Sequence, residues 1–491
     1  MSGISVLDWI VIGVFLTLMI LLGFLISRRN KSETDYVLGG RNMNPSMVGL
    51  SLFATTMSTL SYLALPGEMI RYGYVFFFGC LSYPLAYLIV KRFLIPRFME
   101  LNVKSAYEIL EIKLGKGSRL LATLFFLLLR FLWMSTVMYA TVSTALVPIF
   151  GIDPSYTLLI TVILILITLV YTTFGGLRAV VLTDTVQTGI MFFGAILVIV
   201  LIAFKLGDAH QIFNPDMVRH WDPVVFRFDA TMRMTVGNIL LMRFSWQVCT
   251  AGSDQMAIQR YMATKDVKSA AHSYKVSLYA NAGIEIVLAL AGFMVLAFFF
   301  HHPDMMASGS DLCAQADTLF PRFIRVGLPT GLTGLIAAAI MAAAMSSLSS
   351  GLNSSATVIL EDLVKPYAKR RVSDEKRDLR AVKLISALLG VVVTFSALSV
   401  ALVPGNLIDL MMKVVNLVVA PLFVLFFLAL FVKGATDRGT ILAGLFSFGV
   451  AIAIAFFEIF GIKSLWIMPI SFIAGVLGGV FFCFIGRRIR K

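Results

Sequence analysis

Charged residues are scarce in this sequence. Asp, Glu, Lys and Arg make up 14% of its 491 residues, and hydrophobic residues make up 59%. A soluble globular domain has charges at about a quarter of its positions. The composition therefore excludes a soluble protein and predicts a polytopic membrane protein.

Cysteine and histidine are also few, with four and five residues respectively. The cysteines (Cys80, Cys249, Cys313 and Cys483) lie too far apart for a disulfide framework or a thiolate metal site. The phosphate-binding pattern GxxxxGK[ST] does not occur, which argues against an ATP-driven pump. The apolar runs contain no pair of histidines, carboxylate dyad or nucleophile with its base, so we expect no enzymatic activity.

Apolar runs of about 20 residues alternate with charged connections throughout, which predicts about thirteen transmembrane helices in one domain, residues 1–491. Lys and Arg cluster at every second connection, around residues 91–119, 260–275 and 365–383. By the positive-inside rule these connections face the cytoplasm, which places the N-terminus outside and the C-terminus inside. This distribution accounts for the net charge of +14, so we expect a lipid bilayer and no nucleic acid as partner. We expect a multi-pass protein of the plasma membrane.

Two segments interrupt the apolar runs with polar residues, residues 54–62 and 247–255. Discontinuous helices at corresponding places in two halves are typical of transporters built from inverted repeats. Each half would contain five helices, and an odd number inverts the second copy. The predicted parts are an extra N-terminal helix at 7–26, a first repeat at 46–205, a second repeat at 236–432 and two C-terminal helices at 439–486.

Four serines within five positions, 346–350, lie in an otherwise apolar helix. Small residues on one helix face allow close helix packing, and hydroxyl oxygens on that face also suit a small cation. A dehydrated sodium ion needs neutral oxygens, which the free carbonyls of a broken helix would complete. The absence of His and Cys from these segments argues against transition metals. The predicted donors of a primary sodium site are Ala54, Met57, Ala343, Ser346 and Ser347.

Asp184 is an ionisable residue just inside a predicted helix, where an unpaired charge is costly. Two interpretations remain open. Asp184 could cap the helix at the membrane interface, or it could bind a second cation together with Ser346, Ser349 and Ser350.

Polar and aromatic residues near the interruptions are candidates for binding a solute. Arg130 or Arg243 could attract an anion, but the location of these residues favours snorkelling to the interface or an intramembrane ion pair. Aromatic side chains such as Trp133 and Trp246 could line a cavity or simply pack in the core. The predicted substrate-binding residues are Thr56, Ser58, Ser61, Phe78, Arg130, Met134 and Gln255.

Four motifs in this order resemble the sodium/solute symporter family: residues 35–41, 175–184, 254–261 and 343–353. That family includes sodium-coupled glucose, proline, iodide, monocarboxylate, multivitamin and sialic acid transporters. The resemblance covers nearly the whole chain. It implies a leucine-transporter-type fold of five plus five inverted repeats, with sodium as the coupling ion. It also implies the primary sodium site given above, and a second site at Asp184, Ser346, Ser349 and Ser350.

The substrate is suggested by two further segments. Residues 65–73 are similar to the branch that carries iodide, monocarboxylates and vitamins, and residues 105–108 also occur in sialic acid carriers. Met134 stands where sialic acid carriers have an arginine, with Arg130 one turn away. We therefore expect a monomeric, sodium-coupled symporter that brings a small organic solute, an organic anion, into the cell by alternating access. The alternatives are a proton-coupled or sodium-independent carrier of this fold, a transporter-derived membrane sensor, or a neutral sugar or polyol as substrate.

Overall fold

The computed structural model of the protein describes residues 5–28, 30–101, 103–306, 311–367, 374–400 and 407–488, and leaves the side chains of 407–414 and 486–488 undescribed. Over these residues the regular structure is helical throughout. Before residue 207 the α-helices are α1 (Val6–Ser27), α2 (Glu33–Leu38), α3 (Pro45–Thr56), α4 (Thr59–Tyr72), α5 (Tyr83–Ile89), α6 (Ile95–Glu100), α7 (Glu108–Lys113), α8 (Lys116–Ala140), α9 (Val147–Phe150) and α10 (Thr157–Leu206).

After residue 207 the helices continue in the same way. They are α11 (Ala209–Ile212), α12 (Val236–Ser253), α13 (Gln255–Met262), α14 (Val267–His301), α15 (Ala316–Val326), α16 (Leu332–Val358), α17 (Glu375–Val400), α18 (Leu407–Phe431), α19 (Asp437–Phe457) and α20 (Ile467–Arg488). The predicted helix end at 403 and helix start at 406 lie outside the described residues.

Nine helical segments of the described chain are long and apolar enough to cross a membrane. Several of them combine adjoining helices, such as Thr59–Glu100 and Lys116–Phe150. The all-helical membrane fold predicted from the sequence is therefore confirmed. The predicted count of thirteen helices, the sidedness of the termini and the repeat boundaries stay predictions.

Both predicted interruptions are breaks between successive helices. Met57 and Ser58 are extended between α3 and α4, and the Ser58 side chain caps α4 at the backbone N–H of Ser61. Asp254 alone separates α12 from α13, and it accepts a hydrogen bond from the backbone N–H of Met256. Short polar side chains at these points satisfy the backbone groups that a broken helix exposes.

α10 joins two predicted helices, 156–177 and 180–205, across a kink at Gly176. Gly176 has φ +59°, and a Cβ atom there would lie 2.7 Å from the ring of Tyr36. Only glycine adopts this conformation at so close an approach without strain. The half of α10 after the kink carries the buried Asp184, and α10 packs against α16.

α16 forms the centre of the fold. In an 18-residue apolar stretch of the span Leu332–Tyr367, 89% of the residues are buried, compared with 22% in Val6–Ser27. α16 packs against α1, α3, α8 and α10. Its run of alanines and serines permits this close packing from several sides, because small residues let helix backbones approach.

Candidate ion and substrate sites

The serine cluster of α16 faces the last turn of α3, where the helix breaks. The Ser346 hydroxyl donates to the Ala54 carbonyl at 2.9 Å and lies 3.1 Å from the Ala343 carbonyl. The Ser347 Oγ lies 3.5 Å from the Thr55 carbonyl oxygen. Four of the five predicted donors are thus brought together, and Met57 lies in the adjoining break.

Neutral oxygens make up this cluster, and every residue in it is buried. Elsewhere in the described chain, too, no group of three or more His, Cys, Asp or Glu residues is placed to hold a metal ion. Carbonyl and hydroxyl oxygens are hard ligands that suit an alkali cation. The residues present therefore fit sodium as a transported ion.

The other end of the serine cluster contains a buried ion pair. Asp184 Oδ2 accepts from the Ser51 hydroxyl at 2.5 Å and lies 3.3 Å from Arg260 Nη2. Arg260 is fully buried, and its Nη2 also donates to the Ser350 hydroxyl at 2.6 Å. Asp184 Oδ1 has no hydrogen-bond partner within the described residues. The Arg260 guanidinium thus already lies beside the side-chain oxygens of Ser51, Asp184 and Ser350.

Ser349 is only partly joined to this arrangement. Its hydroxyl donates to the Ser346 carbonyl on its own helix at 3.1 Å. Thr55 connects the two ends of the cluster, because its hydroxyl lies 2.8 Å from Ser350 Oγ while its carbonyl faces Ser347.

A cavity adjoins the break in α3. It is lined by residues of α3, α8, α12, α13 and α18, and at about 20 Å³ it has room for about one water molecule in this conformation. Thr56 and Arg130, both predicted to bind substrate, line it together with Trp133, Trp246 and Thr250. A larger cleft beside Arg97 and Lys113 touches neither broken helix.

Arg130 forms an ion pair with Asp254, the residue at the second helix break. Of the three interpretations given for Arg130, the intramembrane pair is therefore observed, and Asp254 lines the same cavity. Arg243 likewise pairs with Glu285, with 3.2 Å between Nη2 and Oε1.

Other predicted substrate-binding residues lie elsewhere. The ring of Phe78 packs against Tyr74 and Phe226, and Met134 packs closely on Gly351. The Gln255 amide accepts from the Ala106 backbone N–H at 2.7 Å and donates to the Lys104 carbonyl at 3.0 Å.

Ser58 and Ser61 meet each other at the start of α4, where their hydroxyl oxygens lie 3.5 Å apart. Neither they nor Phe78, Met134 and Gln255 line the cavity.

Arg260, Ser51 and Thr55 are not among the site residues predicted from the sequence. Arg260 belongs to a motif, residues 254–261, that carries the family resemblance, so a signal was present. Ser51 and Thr55 lie on α3 one helical turn apart, and only the tertiary structure brings them to Asp184 and Ser350.

A bundle of membrane helices, two of them broken beside buried hydroxyls and a small cavity, defines a secondary transporter. The model of the sodium:solute symporter family matches residues 36–447, and the chain belongs to that family.

Relatives match over most of the chain. The sodium/sialic acid symporter SiaT of Proteus mirabilis is 29% identical over 446 residues, which cover 89% of this chain and 87% of the relative. The sodium-coupled monocarboxylate transporter 1 of Xenopus laevis is 30% identical over 92% of this chain and 72% of its own length.

Solved structures of other transporters have a similar fold. A substrate-bound outward-open Na⁺-coupled sialic acid symporter superposes with a TM-score of 0.88 at 26% identity, over 98% of both chains. Mhp1, a nucleobase-cation-symport-1 family transporter, shares the fold with a TM-score of 0.58 at 14% identity, over 92% of this chain and 94% of that one.

These similarities establish the general activity. The protein is a multi-pass membrane protein and a sodium-coupled symporter of organic solutes, not an enzyme. Sodium is its coupling ion.

Proposed function

We propose that this symporter carries a small organic anion into the cell across the plasma membrane. The observation that carries this proposal is the guanidinium of Arg130 on the wall of the cavity beside the broken α3. An arginine offers several N–H donors and a permanent positive charge, which suit a carboxylate better than a neutral sugar or polyol. The relatives named for sialic acid and for monocarboxylates also carry organic acids.

The proposed primary sodium site consists of Ala54, Met57, Ala343, Ser346 and Ser347. An ion bound there would hold α3 against α16, since its ligands come from both helices. Separation of the two helices would remove ligands and release the ion. This is the coupling that alternating access requires, with the broken helices acting as the moving parts.

The membrane potential supplies part of the driving force. Each sodium ion that moves inward contributes about 2.3 kcal/mol per 100 mV. One ion moving through 100 mV thus supports accumulation of a neutral solute by roughly fiftyfold, and a monoanion moving with it cancels that electrical contribution.

We also propose Asp184 as part of a second sodium site with Ser346, Ser349 and Ser350. Its unpartnered Oδ1 supports this proposal, because a buried carboxylate oxygen without a donor is costly. The Arg260 guanidinium already neutralises part of the charge of Asp184, so an ion at this site would bind on the Oδ1 side.

The proposed architecture has two inverted repeats, 46–205 and 236–432, and acts as a monomer. The matching positions of the breaks at Met57–Ser58 and Asp254 support the repeats.

Uptake into proteoliposomes tests the proposed function. Purified protein is given labelled pyruvate, N-acetylneuraminate or pantothenate, with a sodium gradient or a proton gradient imposed separately. We expect uptake of at least one of these acids under the sodium gradient alone. Uptake of none of them, with uptake of glucose or a polyol, would overturn the proposal for an anion.

A further inference from the structure

Three polar groups around the cavity have no partner. Within the described chain, Arg130 Nε, Trp133 Nε1 and Thr250 Oγ1 are buried and make no hydrogen bond. Each belongs to a residue that lines the cavity. A buried donor without an acceptor costs about 1–3 kcal/mol, so three around one small space call for a ligand that supplies acceptors.

The chemistry of these groups selects the ligand class. An indole N–H and a guanidinium N–H can only donate, whereas a hydroxyl can donate or accept. The one carboxylate in the lining is Asp254, and both of its oxygens are used. Oδ2 pairs with Arg130, and Oδ1 accepts from the Met256 backbone N–H. The cavity therefore offers spare donors without a matching spare carboxylate.

The charge of a bound carboxylate would link solute binding in this cavity to sodium binding. The Arg130–Asp254 pair is neutral, so an arriving carboxylate would bring one uncompensated negative charge into a buried space. Thr55 and Thr56 form the cavity wall on α3, and Thr55 directly follows Ala54, a proposed ligand of the primary sodium. A sodium ion there would restore neutrality, and charges interact strongly at low dielectric.

We propose that Trp133 and Thr250 bind the transported solute, holding its carboxylate group together with Arg130, while Asp254 positions Arg130 and makes the binding depend on sodium. This inference rests on the proposed function, since it names the groups that recognise the anion. Trp133 lies one turn after Arg130 on α8, and Thr250 lies one turn before Asp254 on α12. The subsite is thus built from two helices, at the second helix break.

Two pairs of variants test the donors. Trp133→Phe and Thr250→Val remove the donors with little change of shape. Trp466→Phe and Thr440→Val are their controls, since they remove equally buried and unpartnered groups outside the cavity. The probe is whichever of pyruvate, N-acetylneuraminate and pantothenate the wild-type protein takes up, and its uncharged amide is the competitor.

We expect each cavity variant to raise the KM for the acid about tenfold, the effect of one hydrogen bond to a charged group, with kcat changed less than twofold. The control variants should keep the wild-type KM, and the amide should compete at least about tenfold more weakly than the acid. An unchanged KM in the cavity variants, an equal rise in the controls, or equal competition by the amide would each overturn the inference. Uptake of none of the three acids, with uptake of glucose or a polyol, would instead overturn the proposed function.

Asp254→Asn tests the role of charge, because asparagine can keep the cap on α13. Binding of the labelled acid is measured in sodium and in choline. In the wild-type protein we expect sodium to raise the affinity strongly, and in Asp254→Asn we expect the ratio of the two affinities to fall at least about tenfold, since Arg130 is then uncompensated. A merely structural role for Asp254 would lower both affinities together, and an unchanged ratio would contradict its proposed part.

Discussion

Two buried arginine–aspartate pairs flank the broken helices, and they differ in what they leave unpaired. Arg130 pairs with Asp254 at the wall of a cavity, and its Nε has no partner in the described chain. Arg260 pairs with Asp184 in a fully buried cluster, and there it is an aspartate oxygen that has no partner. The first pair therefore has a spare donor, which suits an anion. The second has a spare acceptor, which suits a cation.

The two pairs also differ in how firmly they are fixed. The three nitrogens of Arg260 donate to Ser51, Ser350, Asp184 and the Met256 carbonyl. Arg130 contacts Asp254 and lies over the ring of Phe126. Binding of a solute to Arg130 would therefore break few bonds, whereas Arg260 is part of the packing of the bundle.

The largest expected effect comes from breaking the fixed pair. Arg260→Gln leaves Asp184 charged and buried, which should cost about 3–5 kcal/mol of stability. The midpoint of thermal unfolding in detergent measures this loss. Arg130→Gln is the matched change in the open pair and should cost less, because Asp254 lies beside a cavity. An equal loss of stability in both variants would contradict the proposed difference between the two ion pairs.

Removing both charges separates electrostatics from packing. The double variant Asp184→Asn with Arg260→Gln should recover most of the stability lost in Arg260→Gln, because no charge stays uncompensated. Its sodium dependence then tests the second site. If Asp184 binds an ion, the sodium Hill coefficient should fall from about two to about one. A coefficient already near one in the wild-type protein, and unchanged in the double variant, would contradict the second site.

The proposed primary sodium site contains no charged side chain. Ser347→Ala removes one neutral oxygen, and we expect the sodium concentration for half-maximal uptake to rise about tenfold, the equivalent of about 1.4 kcal/mol. Sodium titration of uptake measures this change. Ser355→Ala is the control on the same helix, since the Ser355 hydroxyl has no partner among the described residues. A shift in the control as large as in Ser347→Ala would show that helix packing, not ion binding, explains the serines.

The smallest expected effect concerns Glu33, a buried carboxylate outside the membrane spans. Its partners are lysines, whereas those of Asp184 and Asp254 are arginines. Burial opposes ionisation of Glu33, but hydrogen bonds with Glu361, Lys104 and Lys365 lower its pKa from 4.5 to about 2. Lys104 Nζ and Lys365 Nζ lie 2.8 and 2.9 Å from the carboxylate. Because the folded state lowers this pKa, its contribution is complete above pH about 4.5 and disappears as the pH falls toward 2.

Glu33→Gln should therefore lower stability near neutral pH by about 1 kcal/mol, since solvent around the lysines screens the charges. The difference in unfolding midpoint between wild type and variant should shrink as the pH approaches about 3. The exposed Glu375→Gln serves as control and should show no difference at either pH. A gap that widens on acidification would contradict the assigned direction.

Local patterns were enough to predict much of this molecule. The breaks at Met57–Ser58 and at Asp254 follow from polar residues in apolar runs, and the structure has a helix at Val6–Ser27 where one is predicted at 7–26. The serine cluster of α16 and the end of α3 could be matched because a broken helix offers free carbonyls and a neighbouring helix offers hydroxyls, which are both hard oxygens. The match of the family model confirmed the family resemblance.

Partners distant in the chain could not be predicted in the same way. The sequence left Arg130 between a substrate ligand and a member of an ion pair, and it gave no reason to place Arg260 beside Asp184. Which residues meet Arg130 and Arg260 depends on the rotation of the helices and on the kink at Gly176. Composition and periodicity do not encode either of these.

The amino-acid sequence by itself determined a membrane bundle with two interrupted helices and a stripe of hydroxyls, because hydropathy and backbone satisfaction act over short stretches of chain. Only the tertiary structure decided which buried charges meet, since residues such as Ser51, Asp184, Arg260 and Ser350 come from four different helices. It also decided which donors around the cavity are left without partners, and which oxygen of Asp184 is. We propose the donors for an anion and the Asp184 oxygen for a cation.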